Sequence, residues 1–327
     1  MIKRKLKDIE LMVEGSKLKK EFGEIYIEGV STDSRTIGEN QLFIPLVGEN
    51  FNGHKFIEQA IEKGAKAALW DKKEPVPKLD FPFILVEDTL VALQQLAKEY
   101  RKQLNVKVIG ITGSNGKTST KDIIASVLNT KYKTQKTKGN FNNLIGAPLT
   151  LLELDEDTEI SVVEMGTDKF GEISTLTSIA KPDVAIITNI GEAHLEDLKT
   201  PDNIAKAKLE ILEGLSENGL FIYFGDDPIL KEIIKDMEIK QKIITYGMEK
   251  HNDFQCQLGL VDENGVSFTL KKPDEKDFFL PMLGKHNMYN ATAAIVVARY
   301  FDVPFDLIRE GLYHVEKTGM RNELVYA

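Results

Sequence analysis

The chain has 327 residues, of which 42% are hydrophobic and 28% are charged, and its formal net charge is −9. This length predicts about two domains, and the negative charge argues against a protein that binds nucleic acid through a basic surface. The sequence has no apolar run of about 18 residues, no signal peptide and only one cysteine, so it predicts a cytoplasmic protein without membrane insertion, disulfide framework or zinc-ligand cluster.

The N-terminal part of the chain reads as a small α/β domain over residues 1–82. Short strands are expected at 25–27 and 41–47, and a helix at 54–63 that Gly64 ends. We place a second domain at 83–316 and a linker at 317–327.

The second domain begins with a predicted helix that Thr89 caps and then alternates strands with helices. Glu263-Asn264-Gly265 indicates the turn of a hairpin within 253–280, and helices are expected at 287–301 and 304–313. The pattern is typical of an α/β fold with a mostly parallel, doubly wound sheet and a short antiparallel segment. The predicted parallel strands are 106–111, 160–164, 184–188, 220–224 and 242–246.

A glycine-rich segment, Thr112-Gly-Ser-Asn-Gly-Lys-Thr118, follows the first of these strands and precedes a predicted helix. Backbone N–H groups at such glycines turn toward phosphate oxygens, while Lys117 can reach the β and γ phosphates and Thr118 can bind Mg²⁺. The segment departs from the standard Walker A pattern, which would have a glycine where this chain has Ile111. The sequence therefore predicts an ATP site of a tighter P-loop type.

Two other residues should lie at the same sheet edge, because ligands of doubly wound sheets bind beyond the carboxyl ends of the strands. Glu164 ends one predicted strand and His194 follows the next. Each alone is more often structural, but the shared edge favours a functional role, with Glu164 as a Mg²⁺ ligand.

A helix is expected from Pro201, with Thr200 as its cap and an apolar stripe that includes Ile204 and Ile211. Lys208 falls within that stripe, whereas Lys206 points away from it. Burial favours the neutral amine, which can add CO₂ to form a carbamate beside a metal. The alternative is a lysine whose stem is buried and whose head reaches water.

Together these segments resemble, in order along the whole chain, the Mur ligases of peptidoglycan synthesis. Lys138 to Pro148 is similar to the MurF branch, and segments within 31–54 are similar to the uridine-nucleotide segment that the MurE and MurF branches share. The segments that carry the family resemblance are Thr112–Thr118, Glu164-Met-Gly166, Asn189–His194, Ala205–Lys208, Gly284–Ala291 and Gly319-Met-Arg321.

The resemblance implies an ATP-dependent amide ligase that joins D-alanyl-D-alanine to UDP-N-acetylmuramoyl-tripeptide through an acyl phosphate. It implies a Mg²⁺-dependent protein, and we expect a monomer. The implied roles are catalysis by Lys117, His194, Lys208 and Arg321; ATP binding by Gly113, Ser114, Asn115, Gly116, Lys117, Thr118, Ser119, His286, Asn287, Asn290 and Arg321; UDP binding by Asp33, Ser34, Arg35, Asn52 and His54; and metal binding by Thr118, Glu164, His194 and carbamylated Lys208.

The family carries a third, Rossmann-like domain after the arginine linker, and the sequence stops six residues past Arg321. We therefore expect a chain without that domain, either a fragment or a naturally short relative, in which ligation is weak or absent. Two alternatives stay open. One is another amide ligase, MurE-like or similar to folylpolyglutamate synthase, and the other is a non-catalytic nucleotide-binding module.

Overall fold

The computed structural model describes residues 1–191 and 195–315, without the side chains of Leu195 and Glu196. His194, Arg321 and the expected linker at 317–327 lie outside the described residues. The chain divides into two compact units. The first unit holds Met1–Asn105 and Leu144–Asp157, and the second holds Val106–Asn143 and the described residues from Thr158.

The division falls at 105 and 106 rather than at the expected 82 and 83. Residues 83–86 form a strand that pairs with residues 68–71 of the first unit. Segment 144–157 also returns to this unit, where the Tyr100 hydroxyl donates to the Leu154 carbonyl oxygen at 2.8 Å. The sequence did not indicate this return, because its stabilising contacts join residues some 50 positions apart.

The first unit has a four-stranded parallel sheet of order β3-β4-β7-β8, with antiparallel pairs β1–β2 and β5–β6. Its elements are β1 (Lys3–Lys5), α1 (Leu6–Met12), β2 (Tyr26–Glu28), β3 (Val30–Ser31), β4 (Leu42–Phe43), β5 (Val47–Gly48), β6 (Phe51–Asn52), α2 (Ile57–Glu62), β7 (Ala67–Asp71), β8 (Phe83–Val86), α3 (Thr89–Gln103) and, from the returning segment, α5 (Gly146–Leu152).

Two local expectations for the first unit need correction. The strand expected at 41–47 is split into β4 and β5, which pair with different neighbours. The cap of α3 is Asp88, whose carboxylate accepts the Val91 N–H at 2.9 Å. Thr89 is instead the first helical residue, and its hydroxyl donates to the Pro45 carbonyl oxygen at 2.6 Å.

The second unit is built on a nine-stranded sheet of order β10-β11-β9-β12-β13-β14-β15-β16-β17. Its elements are β9 (Lys107–Thr112), α4 (Lys117–Leu128), β10 (Thr134–Lys136), β11 (Ile160–Glu164), α6 (Glu172–Ala180), β12 (Val184–Ile187), α7 (Leu195–Leu198), α8 (Pro201–Leu209), α9 (Ile211–Gly214), β13 (Leu220–Phe224), α10 (Pro228–Lys235), β14 (Lys242–Gly247), β15 (Phe254–Asp262), β16 (Gly265–Leu270), β17 (Lys276–Leu280), α11 (His286–Tyr300) and α12 (Phe305–Tyr313).

The α/β fold class is confirmed: strands β9 to β15 pair in parallel, whereas β16 and β17 add antiparallel pairs. The expected hairpin is the β15–β16 pair, and β17 extends it to three strands. The short strand β10 was not expected from the sequence, since Thr134–Lys136 carries no apolar pattern.

Strand β9 lies at the point where the strand order reverses, with β11 on one side and β12 on the other. Val108, Ile109 and Ile111 of this strand are fully buried, as expected for a strand covered on both faces. Such a reversal opens a crevice beyond the carboxyl ends of the strands. The glycine-rich segment after β9 therefore begins at the position where this fold binds ligands.

The helix expected from Pro201 begins as the sequence predicted, with the Thr200 hydroxyl accepting the Asn203 N–H at 3.2 Å. It divides at Glu210 into α8 and α9. Within the described chain, no helix is both long and apolar enough to cross a bilayer.

Gly214, at the end of α9, lies where α9 packs closely against α6. A Cβ atom built there would lie 2.3 Å from the Thr177 carbonyl oxygen and 2.4 Å from its hydroxyl. In an open helix, Gly→Ala raises stability by up to about 1 kcal/mol. We expect Gly214→Ala to lower the free energy of unfolding instead, by about 1–3 kcal/mol, because the added methyl overpacks this contact.

Chemical denaturation of Gly214→Ala and of a control variant, Gly48→Ala, measures the change in the free energy of unfolding. Gly48→Ala is the control, since nothing lies within 4 Å of a Cβ built at that residue. A stabilised Gly214→Ala protein would contradict the close packing described here.

Candidate active site

The segment between β9 and α4 is folded as a tight loop around two glycines with positive φ. Gly113 has a φ of +144° and Gly116 a φ of +81°. A Cβ atom on Gly113 would lie 1.9 Å from the Thr188 hydroxyl oxygen, so no other residue fits there. The glycines thus let the loop pass closely against the segment that follows β12.

Thr188 and Asn189 hold this loop by hydrogen bonds. The Thr188 hydroxyl and the Asn189 amide donate to the Asn115 carbonyl oxygen at 2.6 and 3.0 Å. In return, the Asn115 N–H donates to Asn189 Oδ1 at 3.1 Å, and the Ser114 N–H donates to the Asn189 carbonyl oxygen at 2.9 Å. The sequence reasoning gave no role to Thr188. Its role could have been suspected from the sequence, because Thr188 is a polar residue directly after a buried strand.

The loop leads into the N-terminus of α4, whose first three residues are Lys117, Thr118 and Ser119. The Lys117 ammonium donates to the Gly113 carbonyl oxygen at 2.6 Å, so it lies on the loop itself. A helix N-terminus carries unpaired N–H groups and a partial positive charge. With the lysine beside it, this end of α4 can bind a polyphosphate.

Glu164 ends β11 beside Thr118, and its side chain is 1% exposed. Its Oε1 atom accepts hydrogen bonds from the Thr118 hydroxyl at 3.3 Å and the Asn142 amide at 2.9 Å. Its Oε2 atom is buried and accepts no hydrogen bond from the residues that the structure describes. A buried carboxylate oxygen without a hydrogen bond is a position that a bound ion or water can fill.

These oxygens fit the ligand preference of Mg²⁺, which takes one or two carboxylates together with substrate phosphates. Thr118 supplies a hydroxyl and Glu164 a carboxylate at the phosphate-binding end of α4. Among the described residues, His, Cys, Asp and Glu side chains form no group of three or more that could hold a metal ion.

Lys208 is buried on α8 with 1% exposure, whereas Lys206 is exposed. Burial, and to a lesser extent the positive charge of Lys117, lower the pKa of Lys208 to about 7, while Asp168 opposes the shift. The apolar stripe read from the sequence therefore predicted the buried lysine correctly. Near neutral pH a large fraction of its amine is uncharged and nucleophilic.

Helix α11 meets the glycine-rich loop through Asn290, which is 6% exposed. Its Oδ1 atom accepts the Thr120 hydroxyl at 3.1 Å and would lie 2.8 Å from a Cβ on Gly116. Its amide also donates to Asn287 Oδ1 at 3.0 Å. Asn287 is buried and donates to the Leu283 carbonyl oxygen, whereas His286 is exposed at the start of the helix. Asn290 is thus placed beside the loop, and Asn287 supports it.

The first unit contains a separate cavity of about 500 Å³. Arg35 and Asp33 form a hydrogen-bonded ion pair at 2.7 Å, which lowers the pKa of Asp33 to about 2. Ser34 donates to Gln59 Oε1 at 2.8 Å. The cavity is lined by Thr32, Asp33, Ser34, Arg35, Phe43, Phe51, Gly53, Phe56 and Gln59.

The aromatic part of this lining was missed by the sequence reasoning. The Phe51 and Phe56 rings stack with centroids 5.5 Å apart and are 54% and 39% exposed. Two phenylalanines that flank a polar Asn-Gly-His segment were the available signal. Exposed stacked rings form a surface on which a planar base can pack.

Asn52 and His54, by contrast, are engaged inside the first unit and do not line the cavity. The Asn52 amide donates to Glu74 at 2.8 Å. The His54 ring is 4% exposed, contacts Asn52 Oδ1 at 2.9 Å through Nδ1, and accepts the Asp71 N–H at 3.2 Å through Nε2. Burial lowers the pKa of His54. Their contacts thus lie within the first unit, and the UDP-binding role that the resemblance implies for both stays a prediction.

Comparisons with known proteins agree with these two units. Residues 111–298 match the family described as Mur ligase middle domain, and residues 26–101 match the family described as Mur ligase family, catalytic domain. The UDP-N-acetylmuramoyl-tripeptide--D-alanyl-D-alanine ligase of Bacillus subtilis (strain 168) is 50% identical over 325 residues, which are 99% of this chain and 70% of that protein.

Solved structures show the same likeness. A crystal structure of MurF from Acinetobacter baumannii superposes on this chain with a TM-score of 0.87 at 31% identity. The superposition covers 97% of this chain and 69% of the MurF chain. The structure of MurF ligase from Thermotoga maritima in complex with ADP gives a TM-score of 0.77 at 29% identity. This match covers 88% of this chain and 66% of the Thermotoga maritima chain. This chain thus spans about two thirds of the length of these relatives.

The matched families cover both compact units, and the relative from Bacillus subtilis matches nearly the whole sequence. The chain therefore belongs to the Mur ligase family, in its MurF branch.

Proposed function

We propose that this chain carries the ATP-binding and UDP-substrate-binding parts of an ATP-dependent ligase that joins D-alanyl-D-alanine to UDP-N-acetylmuramoyl-tripeptide. The observation that supports it most directly is the meeting of Lys117, Thr118 and Glu164 at the N-terminus of α4. The name of the Bacillus subtilis relative supports the choice of substrates. Use of ATP accords with the family and with the ADP complex of the relative from Thermotoga maritima.

The chemistry requires activation of a carboxylate, since a carboxylate resists attack by an amine at neutral pH. A carboxylate oxygen of the tripeptide attacks the γ-phosphorus of ATP, the bond from that phosphorus to the bridging oxygen breaks, and ADP leaves. The amine of D-alanyl-D-alanine then attacks the acyl carbon, and the tetrahedral intermediate collapses with loss of phosphate and a proton.

Residues of the second unit would hold the reactants for the first step. Backbone N–H groups at the N-terminus of α4 and the Lys117 ammonium would bind the phosphates and offset the charge that develops on them. Asn290, which lies beside the same loop, would contact the adenine. Thr118 and Glu164 would hold Mg²⁺, which when bound neutralises phosphate charge.

Lys208 would take part as a carbamate. Its ammonium form is disfavoured by burial and by the Lys117 ammonium. Addition of CO₂ to the neutral amine forms an N–C bond, releases a proton and converts the uncharged group into one with a negative charge. The Lys117 ammonium, which repels the ammonium form of Lys208, would attract this carbamate. The resulting carboxylate-like group would serve a second metal site together with His194.

The cavity of the first unit would bind the uridine nucleotide. Phe51 and Phe56 offer ring faces for the base, and Arg35 offers a guanidinium for a phosphate. The Arg35 side chain is 78% exposed, so it is available to a ligand. Ser34 and Gln59, which bond to each other, would add polar contacts. A monomeric state remains a prediction from the sequence.

Isothermal titration with UDP-N-acetylmuramoyl-tripeptide, and with UDP alone, tests the substrate assignment. We expect the muramoyl ligand to bind more tightly than UDP. Arg35→Met should weaken binding of both ligands by about tenfold or more, because a hydrogen bond to a charged group contributes about 1.5–3 kcal/mol.

The matched control is Arg309→Met in the second unit, which removes another partly exposed arginine paired with an aspartate. It should leave binding unchanged. Equal affinity for UDP and the muramoyl ligand would point to another acid substrate, such as that of a MurE-like or folate-type ligase, and equal effects of the two variants would remove Arg35 from the site.

The carbamate is tested by ¹³C NMR of the protein equilibrated with ¹³CO₂ at a fixed pressure. We expect a carbamate carbonyl signal that is lost in Lys208→Ala and kept in Lys206→Ala. The signal should grow as the pH rises from about 6 to 8, because the neutral fraction of an amine with a pKa of about 7 increases across that interval. A signal insensitive to Lys208→Ala would refute the assignment.

A further inference from the structure

A second lysine of α4, Lys121, has no role in the site described so far. It lies three residues after Thr118, so the two side chains share one face of the helix. Its side chain is fully buried. Burial of a lysine is costly unless its charge is compensated, so its surroundings show what it is there to do.

The Lys121 ammonium lies between the sheet and the loop of residues 138–143. It donates a hydrogen bond to the Gly139 carbonyl oxygen at 2.9 Å. It also lies 3.5 Å from Glu164 Oε2 and 3.7 Å from Asp122 Oδ1. One ammonium therefore joins the loop to the carboxylate proposed to bind Mg²⁺.

The same loop contacts Glu164 from its other end. Asn142 donates to Glu164 Oε1 at 2.9 Å, while Lys121 compensates the charge near Oε2. Oε2 accepts no hydrogen bond from the described residues. Lys121 thus offsets the buried negative charge without using the oxygen that a metal ion would take, since its own hydrogen bond goes to Gly139.

We propose that Lys121 is a positioning residue for the Mg²⁺–nucleotide site: it fixes Glu164 and the 138–143 loop in the arrangement that binds the metal. The inference rests on the proposed function, because it assigns Lys121 a role toward the Mg²⁺ that Thr118 and Glu164 would hold. Lys121 would touch neither the nucleotide nor the metal. It would act through the geometry of Glu164 and the loop.

A nearby lysine supplies a matched control. Lys136 forms a 2.7 Å ion pair with Asp122, which lies in the same charge cluster, and its side chain is 31% exposed. Its recorded contacts include neither Glu164 nor Gly139. Lys136→Met therefore removes a positive charge of the same cluster and leaves the link between loop and carboxylate intact.

The experiment is calorimetric titration of ADP into wild-type protein, Lys121→Met, Lys121→Arg and Lys136→Met, each with excess Mg²⁺ and with EDTA. We expect Mg²⁺ to strengthen ADP binding in the wild type. Lys121→Met should reduce that strengthening by about 10–100-fold, the usual effect of losing a residue that orients a metal ligand, with little change in EDTA. Lys121→Arg should recover part of it, and Lys136→Met should match the wild type.

Hydrogen exchange of the 138–143 amides is the second measurement, and Lys121→Met should make it faster. If Lys121→Met does not fold, Asn142→Ala removes the other loop contact to Glu164 without leaving a buried charge, and it should reduce the Mg²⁺ effect in the same direction. Unchanged or tighter Mg²⁺-dependent ADP binding in Lys121→Met and Asn142→Ala would overturn the role of Lys121 and leave the proposed function standing. The same holds if Lys136→Met loses as much of the Mg²⁺ effect as Lys121→Met. A wild-type protein that binds no ADP would overturn the proposed function together with the role of Lys121.

Discussion

The alignment of three parallel strands at the centre of the second unit is the constraint on which the candidate site depends. In the register of the sheet, Glu164 of β11 pairs with Ile111 of β9, and Ile187 of β12 pairs with Thr112. The three strands therefore end within one residue of each other. This alignment brings the glycine-rich loop, the buried Glu164 carboxylate and the loop-binding residues Thr188 and Asn189 to one edge of the sheet. A slip of one residue would turn Glu164 to the opposite face of the sheet.

Buried charge around this edge is arranged so that each group has a defined neighbour. Burial lowers the pKa of Lys208, and the charge of a nearby cation, Lys117, adds to that shift and favours the neutral amine. Lys121 lies between two carboxylates, Glu164 and Asp122, at ion-pair distances. Two buried lysines on different helices thus meet opposite electrostatic surroundings, and this difference is why we assign carbamate chemistry to one and a positioning role to the other.

The first unit contributes a binding surface of another kind. Its cavity combines stacked aromatic rings with an Arg–Asp ion pair. The buried His54 ring packs edge-on against Trp70, with 4.5 Å between centroids. An apolar platform with one exposed guanidinium suits a base joined to phosphates. Under the proposed function, the two units would supply complementary chemistry: phosphate binding with a buried metal ligand in one, and base recognition in the other.

Features that depend on short-range pattern could be predicted from the amino-acid sequence. The strand–loop–helix around Gly113–Thr118, the alternation typical of a parallel sheet, and the burial of Lys208 but not Lys206 all follow from spacing within a few turns of chain. Which distant segments meet depends on the tertiary fold. The fold places residues 144–157 in the first unit, Thr188 against Gly113, the His54 ring against Trp70, and Lys121 beside Glu164. Helical spacing shows which face Lys121 shares with Thr118, but what lies opposite that face is set by strand order and register, which are long-range properties of the fold.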